Sequence, residues 1–301
     1  MPFDPAMKLT RDNFKNLPPL CSDGAWGTEM QRLGAEPGQM CDTWNTEFPE
    51  KVLSVAQSYV DAGAQIILTN TFNSNRVALV RHGIPELAYE LTRTGAKISR
   101  RAAQGKAYVF GSIGPCGKMV MMGEISEGEV EEAAAEQARA MAEGGADAIV
   151  IETQTDLMEA EASARGCLAA CDLPVGISFT FDSGKGNSFT MMGVDPEQAY
   201  NMARRVGASF VGANCGAGIE SFVHLASLFS KAGGELPVWI KGNAGLPSMG
   251  PDGRYFYSAP PELYSGVVEP LLAAGAHFIG GCCGSNPAHI QAIAHKMSSL
   301  H

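Results

Sequence analysis

At 301 residues the chain has room for two ordinary domains or one large α/β barrel, at roughly 150 residues per domain. A hydrophobic content of 45% excludes a disordered chain, and 35 glycines without a Gly-x-y period exclude a collagen-like one. With 22 Lys and Arg against 32 Asp and Glu, a formal charge of −10 and no basic cluster, a nucleic-acid or anionic-membrane surface is disfavoured. The longest apolar runs are strand-sized, so no membrane span is expected, and MPFDPAMKLTRDNFKNLPPLC lacks the apolar core of a secretory signal. The expectation is a cytoplasmic protein whose eight cysteines are reduced and form no disulfide framework.

LCSDG (20–24) is a plausible opening strand. A phrase then recurs four times, as YVDAGAQIILTNT (59–71), MAEGGADAIVIET (141–153), ARRVGASFVGANC (203–215) and LLAAGAHFIGGCC (271–283). Each copy is the end of an apolar-striped helix, a glycine suited to the left-handed C′ position, and a short apolar run. Such continuous runs mark strands buried on both faces. AYVFGS (107–112), PVGISFTF (174–181) and PVWIKGN (237–243) read the same way. Strands are thus predicted near 20, 65, 107, 147, 175, 209, 237 and 277, separated by helices.

Pro49 suits a first helical turn, Ser126 with Glu129 forms a capping box for a helix that runs to Glu143 and closes at Gly144, and Asn286-Pro287 opens the last helix. Strand–helix alternation implies parallel strands with right-handed crossovers. The eight units predict a single α/β domain over 1–301, a (β/α)8 barrel with 1–19 as an N-terminal extension; a doubly wound open sheet is the alternative.

In such a barrel the chemistry sits at the carboxyl ends of the strands. Those ends read Asp23-Gly24, Asn70-Thr71, Gly111-Ser112, Glu152-Thr153, Thr180, Asn214-Cys215, Lys241-Gly242-Asn243 and Cys282-Cys283. Cys215, Cys282 and Cys283 end the sixth and eighth strands, on either side of the seventh. Three thiolates with an open fourth position suit a catalytic Zn²⁺. Three buried thiols or an oxidised vicinal pair are the plainer alternatives, since no CxxC or HExxH spacing is present.

DGAWGTEMQRLG (23–34), ILTNTFNSNRVAL (67–79), GSIGPCG (111–117), GANCG (212–216), NAG (243–245) and GGCCGSNPAHI (280–290) together resemble the homocysteine S-methyltransferase family. The likeness is greatest to the homocysteine-binding module of cobalamin-dependent methionine synthases. It runs in order from about residue 20 to the C-terminus, and GxNC followed by GGCCG is its specific signal. The resemblance implies that Cys215, Cys282 and Cys283 bind Zn²⁺ and that the open position takes the thiol of homocysteine. Asp23, Gly24 and Glu152 match the family's amino-acid clamp, with Ala25 where relatives often carry a second glycine. Glu152 would meet the substrate ammonium, and backbone N–H groups just after Asp23 its carboxylate. The plainer reading of Glu152 is a salt bridge to Lys241. Asn70, Asn214 and Asn243 are candidates for positioning hydrogen bonds.

The chain departs from the family at Gly242, where a proline is usual, and in the methionine-rich loops CGKMVMMGE (116–124) and Met191-Met192. Those loops could shape a rim for an unusual donor or acceptor. Cys167 and Cys171 read as buried thiols, Cys21, Cys41 and Cys116 have no assigned role, and PSMGPDG (247–253) makes a loop able to cover the mouth.

What the resemblance implies is a zinc-dependent transferase that methylates homocysteine, an amino-acid thiol, to methionine. NTFNS sides with the methionine-synthase module, yet the 301 residues hold no cobalamin or folate domain. The donor expected is therefore a methyl-corrinoid carried by a separate protein docked over the mouth. The alternatives are a stand-alone enzyme using S-methylmethionine, S-adenosylmethionine or betaine, a zinc lyase or hydrolase with Glu152 as base, and a non-catalytic subunit binding a thiol or a corrinoid protein.

Overall fold

A computed structural model of the chain describes residues 3–250 and 255–300. Eight parallel strands form one sheet: β1 (Leu20–Cys21), β2 (Ile66–Leu68), β3 (Tyr108–Ile113), β4 (Ala148–Gln154), β5 (Val175–Phe179), β6 (Phe210–Gly218), β7 (Val238–Asn243) and β8 (Ala276–Gly281). Strands β2 to β8 pair with their neighbours in sequence, and β8 pairs with β1 through Leu20 and Phe278. A parallel bridge between Ser22 and Ile66 joins β1 to β2; there Gln65 N–H donates to the Cys21 carbonyl (2.8 Å) and Asp23 N–H to the Ile66 carbonyl (2.9 Å). The ring is a (β/α)8 barrel and not the open sheet. No helix among the described residues is long and apolar enough to cross a membrane.

Local chemistry sets the element boundaries. Pro49 is the first residue of the helix Pro49–Asp61, Ser126 and Glu129 form a reciprocal capping box, and Asn286 caps Pro287–Ser298. One boundary differs from expectation. Gly144 stays inside its helix, where a Cβ would lie 2.5 Å from that of Ala96 on the neighbouring helix, and Gly145 at φ +89° ends it. Two adjacent glycines offered the same stop, and helix–helix packing chose between them.

Side chains alternate along each strand between the lumen and the helices. Leu20, Ile66, Tyr108, Phe110, Phe210, Trp239 and Phe278 fill the lumen. Phe210 has its place because Gly176 on β5 offers no side chain: a Cβ there would sit 2.1 Å from the ring. The N-terminal extension completes this core. Phe14 enters from the amino ends of the strands, stacks on Phe210 with ring centroids 5.0 Å apart, and meets Phe110 and Phe278 edge-on or tilted. Leu9 and Leu17 close the lumen around it.

Phe14→Ala removes a fully buried ring and should cost about 3–5 kcal/mol, read as a lower denaturant midpoint at unchanged slope. A loss below about 1 kcal/mol would show that the extension is not part of the core.

Candidate functional site

Two residues beyond the aromatic layer the same strand faces turn polar, with Ser112, Glu152, Ser178, Asn214 and Lys241 all buried. Ser112, Glu152 and Lys241 reach a cavity of about 360 Å³ at the carboxyl ends of the strands. A wider cleft at the opposite end, bordered by Pro18, Asp61 and His295, gathers no comparable set.

Three cysteines stand at the cavity's edge. The register of β6 against β7 shifts between Asn214 and Gly218, so the strand runs on through Cys215 instead of ending there as expected. Cys215 and Gly216 both take left-handed φ, +62° and +69°. For a non-glycine residue that conformation costs on the order of 1–3 kcal/mol and persists only where the surroundings impose it. β8 stops at Gly281. Cys282 N–H then donates to the Gly242 carbonyl (2.7 Å), and the Cys283 carbonyl accepts from Ala244 N–H (2.9 Å), so the end of β7 and the residue after it grip the vicinal pair. Gly284 makes the next turn at φ +82°, with Tyr257 packed so close that a Cβ would lie 2.0 Å from its ring.

The three sulfurs lie within 4.8 Å of one another, Cys215 Sγ and Cys283 Sγ being 3.8 Å apart, and all three thiols are free. A tetrahedral site with metal–sulfur bonds of about 2.3 Å places its sulfurs about 3.8 Å apart, so the set fits the ion expected from the sequence. Among the described residues it is the one cluster of three or more His, Cys, Asp or Glu compact enough to hold a metal. Hydrogen bonds inside the cluster pull in both directions, while burial and mutual repulsion push Cys215 and Cys283 up to about 12. A bound cation would let three such thiolates coexist.

The remaining expected residues divide between pocket and scaffold. Glu152 lines the cavity; its Oε1 accepts from Ser112 Oγ (2.5 Å), and burial holds its carboxyl above the usual range against the opposing pull of Lys241 and Ser112. The Glu152–Lys241 bridge, the plainer alternative for Glu152, is not formed. Lys241 Nζ pairs with Asp23 Oδ1 at 2.5 Å. Asp23 Oδ2 accepts from Leu68 N–H (2.8 Å) and Trp26 Nε1–H (2.9 Å), so this carboxylate is committed to the protein. Gly24 and Ala25 line the cavity, with Ala25 N–H donating to Ser285 Oγ (3.1 Å).

Asn70 touches the cavity, but its Nδ2 donates to the Cys41 carbonyl (2.8 Å) and Asn45 Oδ1 (3.0 Å). Asn214 Nδ2 donates to Thr153 Oγ1 while its Oδ1 accepts from Thr153 N–H and Ser178 Oγ, holding Thr153 at φ +63° directly after Glu152. Asn243 is buried on β7, and its Oδ1 has no partner, an acceptor that a nearby cation or ligand would satisfy.

Sequence reasoning missed several pocket residues, among them Trp26, Thr28, Cys41, Asp42, Phe72 and Tyr257. Cys41 and Asp42 follow no motif, and Tyr257 arrives on the segment after the hairpin Ser248–Met249 with Tyr255–Phe256; positions 251–253 of the expected covering loop lie outside the described residues. The methionine-rich loops stand on the rim and not in the cavity. Met119, Met121, Met122 and Met191 are 44–71% exposed, while Cys116 is buried with its N–H donated to Glu159 (2.6 Å).

The family model for homocysteine S-methyltransferase matches residues 20–297. The chain belongs to the homocysteine S-methyltransferase family. It is thus a member of a family of S-methyltransferase enzymes. It is 30% identical over 299 residues to methionine synthase from Mycobacterium tuberculosis, covering 93% of this chain and 25% of that protein. With methionine synthase from Mycobacterium leprae the identity is 30% over 295 residues, 91% of this chain and 24% of that one. The chain therefore spans about a quarter of the curated relatives it matches. The barrel superposes on the metallated form of the homocysteine methyltransferase MmuM from Escherichia coli with a TM-score of 0.76, at 22% identity over 95% of this chain and 99% of that one. At that identity the likeness speaks for the fold.

Gly284→Ala should destabilise the chain by roughly 1–3 kcal/mol, because it combines a left-handed φ with the Tyr257 clash. Gly266→Ala, on an exposed helical position with nothing near the added Cβ, should instead stabilise by about 0.5–1 kcal/mol. Thermal unfolding of the two variants checks both signs.

Proposed function

We propose that the chain is a zinc-dependent thiol methyltransferase with homocysteine as acceptor and methionine as product. The observation that carries this reading is the trio of free thiols, Cys215, Cys282 and Cys283, gathered beside a pocket that also holds Glu152 in a chain of this family. The metallated state of the E. coli MmuM structure agrees with it. Cys215, Cys282 and Cys283 would hold the zinc, which when bound would let the thiol of homocysteine lose its proton at neutral pH and remain electron-rich enough to attack a methyl group.

The chain's own residues place that thiol. Glu152 pairs with the substrate ammonium, its position fixed by Ser112 on one side and by the braced Thr153 on the other. Ala25 N–H is already donated to Ser285, which leaves the Gly24 N–H for the substrate carboxylate. Asn243 and Asn70 support the walls.

The donor we assign is a methyl-corrinoid held on a protein module that docks over the mouth. Two observations support it: the chain matches a quarter of much longer methionine synthases, and exposed Met119, Met121, Met122, Met191, Met249 and Phe256 crowd the loops at the mouth. Adaptable apolar side chains suit a protein partner better than solvent. A second reading has its own observation. Trp26, Phe72, Tyr255 and Tyr257 line the cavity, and aromatic faces suit a cationic donor such as S-methylmethionine, S-adenosylmethionine or betaine. Turnover of homocysteine with a methyl-corrinoid protein and none with the small cations supports the first donor; turnover with a small cation and no corrinoid removes it.

Cys215→Ala, Cys282→Ala and Cys283→Ala should each strip most of the zinc while circular dichroism stays that of the folded barrel; full zinc in all three would show that the ligands lie elsewhere. A pH series tests Glu152. Its carboxyl lies above the usual range, so homocysteine affinity should be full at neutral pH and fall as pH drops through that raised value. Glu152→Gln should weaken binding at neutral pH and flatten this acid limb; an unchanged limb would assign it to another group.

A further inference from the structure

Lys241 is the one lysine or arginine among the buried residues described. It faces the lumen from β7, 2% exposed, with its ammonium on Asp23. Burial alone would depress that ammonium, but Asp23 and Glu152 outweigh it and keep Lys241 charged. Asp23 in turn holds the N–H of Leu68 at the end of β2 and the indole of Trp26 in the first helix. One ion pair thus ties β7, β2 and the helix Trp26–Arg32 to the turn after β1, where Gly24 and Ala25 border the cavity. That turn is locked from its other side by Tyr59 Oη, which donates to the Ala25 carbonyl at 2.6 Å.

The second carboxylate of the lumen is different. Glu152 is buried and has no cation within ion-pair distance among the described residues; its recorded partner is the Ser112 hydroxyl. The lumen therefore holds two carboxylates and one ammonium, and the pairing is not shared between them.

We propose that Lys241 is a positioning residue that acts through Asp23. It neutralises that carboxylate and latches the Gly24–Ala25 turn, which leaves Glu152 as the carboxylate of the lumen without an ion-pair partner and available to the ammonium of a ligand; Asp42, the other buried carboxylate on the cavity wall, is taken up by Asn73 N–H (2.8 Å) and Ser74 Oγ (2.9 Å). The pocket then selects an amino-acid thiol over the same thiol without its amino group. This rests on the assignment of Glu152 to the substrate ammonium. When Lys241 is replaced by an apolar side chain, Asp23 stays buried without a cation, and breaking one side of a buried pair is far more disruptive than removing both.

The test uses the zinc-loaded full chain and two probes, homocysteine and 4-mercaptobutanoate, which is homocysteine lacking the amino group. Dissociation constants and zinc content are measured for the unmodified protein, K241M, D23N, K241M/D23N and E152Q. K241M should weaken homocysteine roughly 30-fold or more with zinc content unchanged. K241M/D23N should return to within about fivefold of the unmodified protein, because no carboxylate remains to be neutralised and the amide oxygen still accepts from Leu68 and Trp26. Losses that simply add in the double variant, or a double variant as weak as K241M, overturn the proposal; the second result would place Lys241 on the ligand itself. If K241M does not fold, the double variant decides alone, and its failure to fold or to bind also overturns the proposal. E152Q reports separately: a preference for homocysteine over 4-mercaptobutanoate that falls roughly tenfold supports the Glu152 assignment, and an unchanged preference removes it without touching the Lys241–Asp23 cycle.

Discussion

Successive side chains on a strand point to opposite faces, so regular strands cannot bring three thiols, two of them adjacent in sequence, to one point. The barrel meets this constraint by interrupting β6 and ending β8 at the same height. Cys215 and Gly216 turn left-handed inside β6, Cys282 and Cys283 lie just past the end of β8, and between them β7 supplies the Gly242 carbonyl and the residue after it, Ala244, one N–H to hold the pair. Strain at Cys215 is offset by the ladder on both sides of it, which continues to Gly218. The glycines around the cluster follow from the same demand, since a side chain at Gly284 would drive into Tyr257.

The charge arrangement is coupled to that geometry. Ala25 N–H donates to Ser285 Oγ, which donates to the Cys282 carbonyl at 2.7 Å, so the turn after Asp23 and the thiol cluster share one hydrogen-bonded link. Across the lumen, Asn214 precedes Cys215 in sequence and braces Thr153, the neighbour of Glu152. Pocket end and thiol end are therefore joined by hydrogen bonds on both sides of the lumen. In a low-dielectric lumen each unpaired charge is expensive, and the one buried lysine described pairs with Asp23 and not with Glu152.

Much of this was legible in the sequence. The strands buried on both faces announce themselves as continuous apolar runs after a left-handed glycine, and Gly63, Gly145, Gly207 and Gly275 all take positive φ. The observed strands begin within a residue of their expected positions. The thiol cluster was legible because strand ends in a parallel barrel converge whatever their separation along the chain. What escaped was set by tertiary contact. Nothing local marks Phe14 as the plug of the lumen, Cys215 and Thr153 as left-handed, or Tyr257 as a pocket wall. The Lys241–Asp23 pair links residues 218 apart in sequence, and charge alone offered Glu152 as an equal partner; geometry chose Asp23 because its carboxylate also meets the Leu68 and Trp26 donors.

The central claim is that these three thiols hold a zinc ion whose open position takes the acceptor thiol. Zinc content and the X-ray absorption edge, recorded with and without homocysteine, test it most directly. The account expects about one zinc per chain, with sulfur ligation rising from three to four when homocysteine is added. A chain without zinc, or zinc whose sulfur count ignores homocysteine, would contradict it.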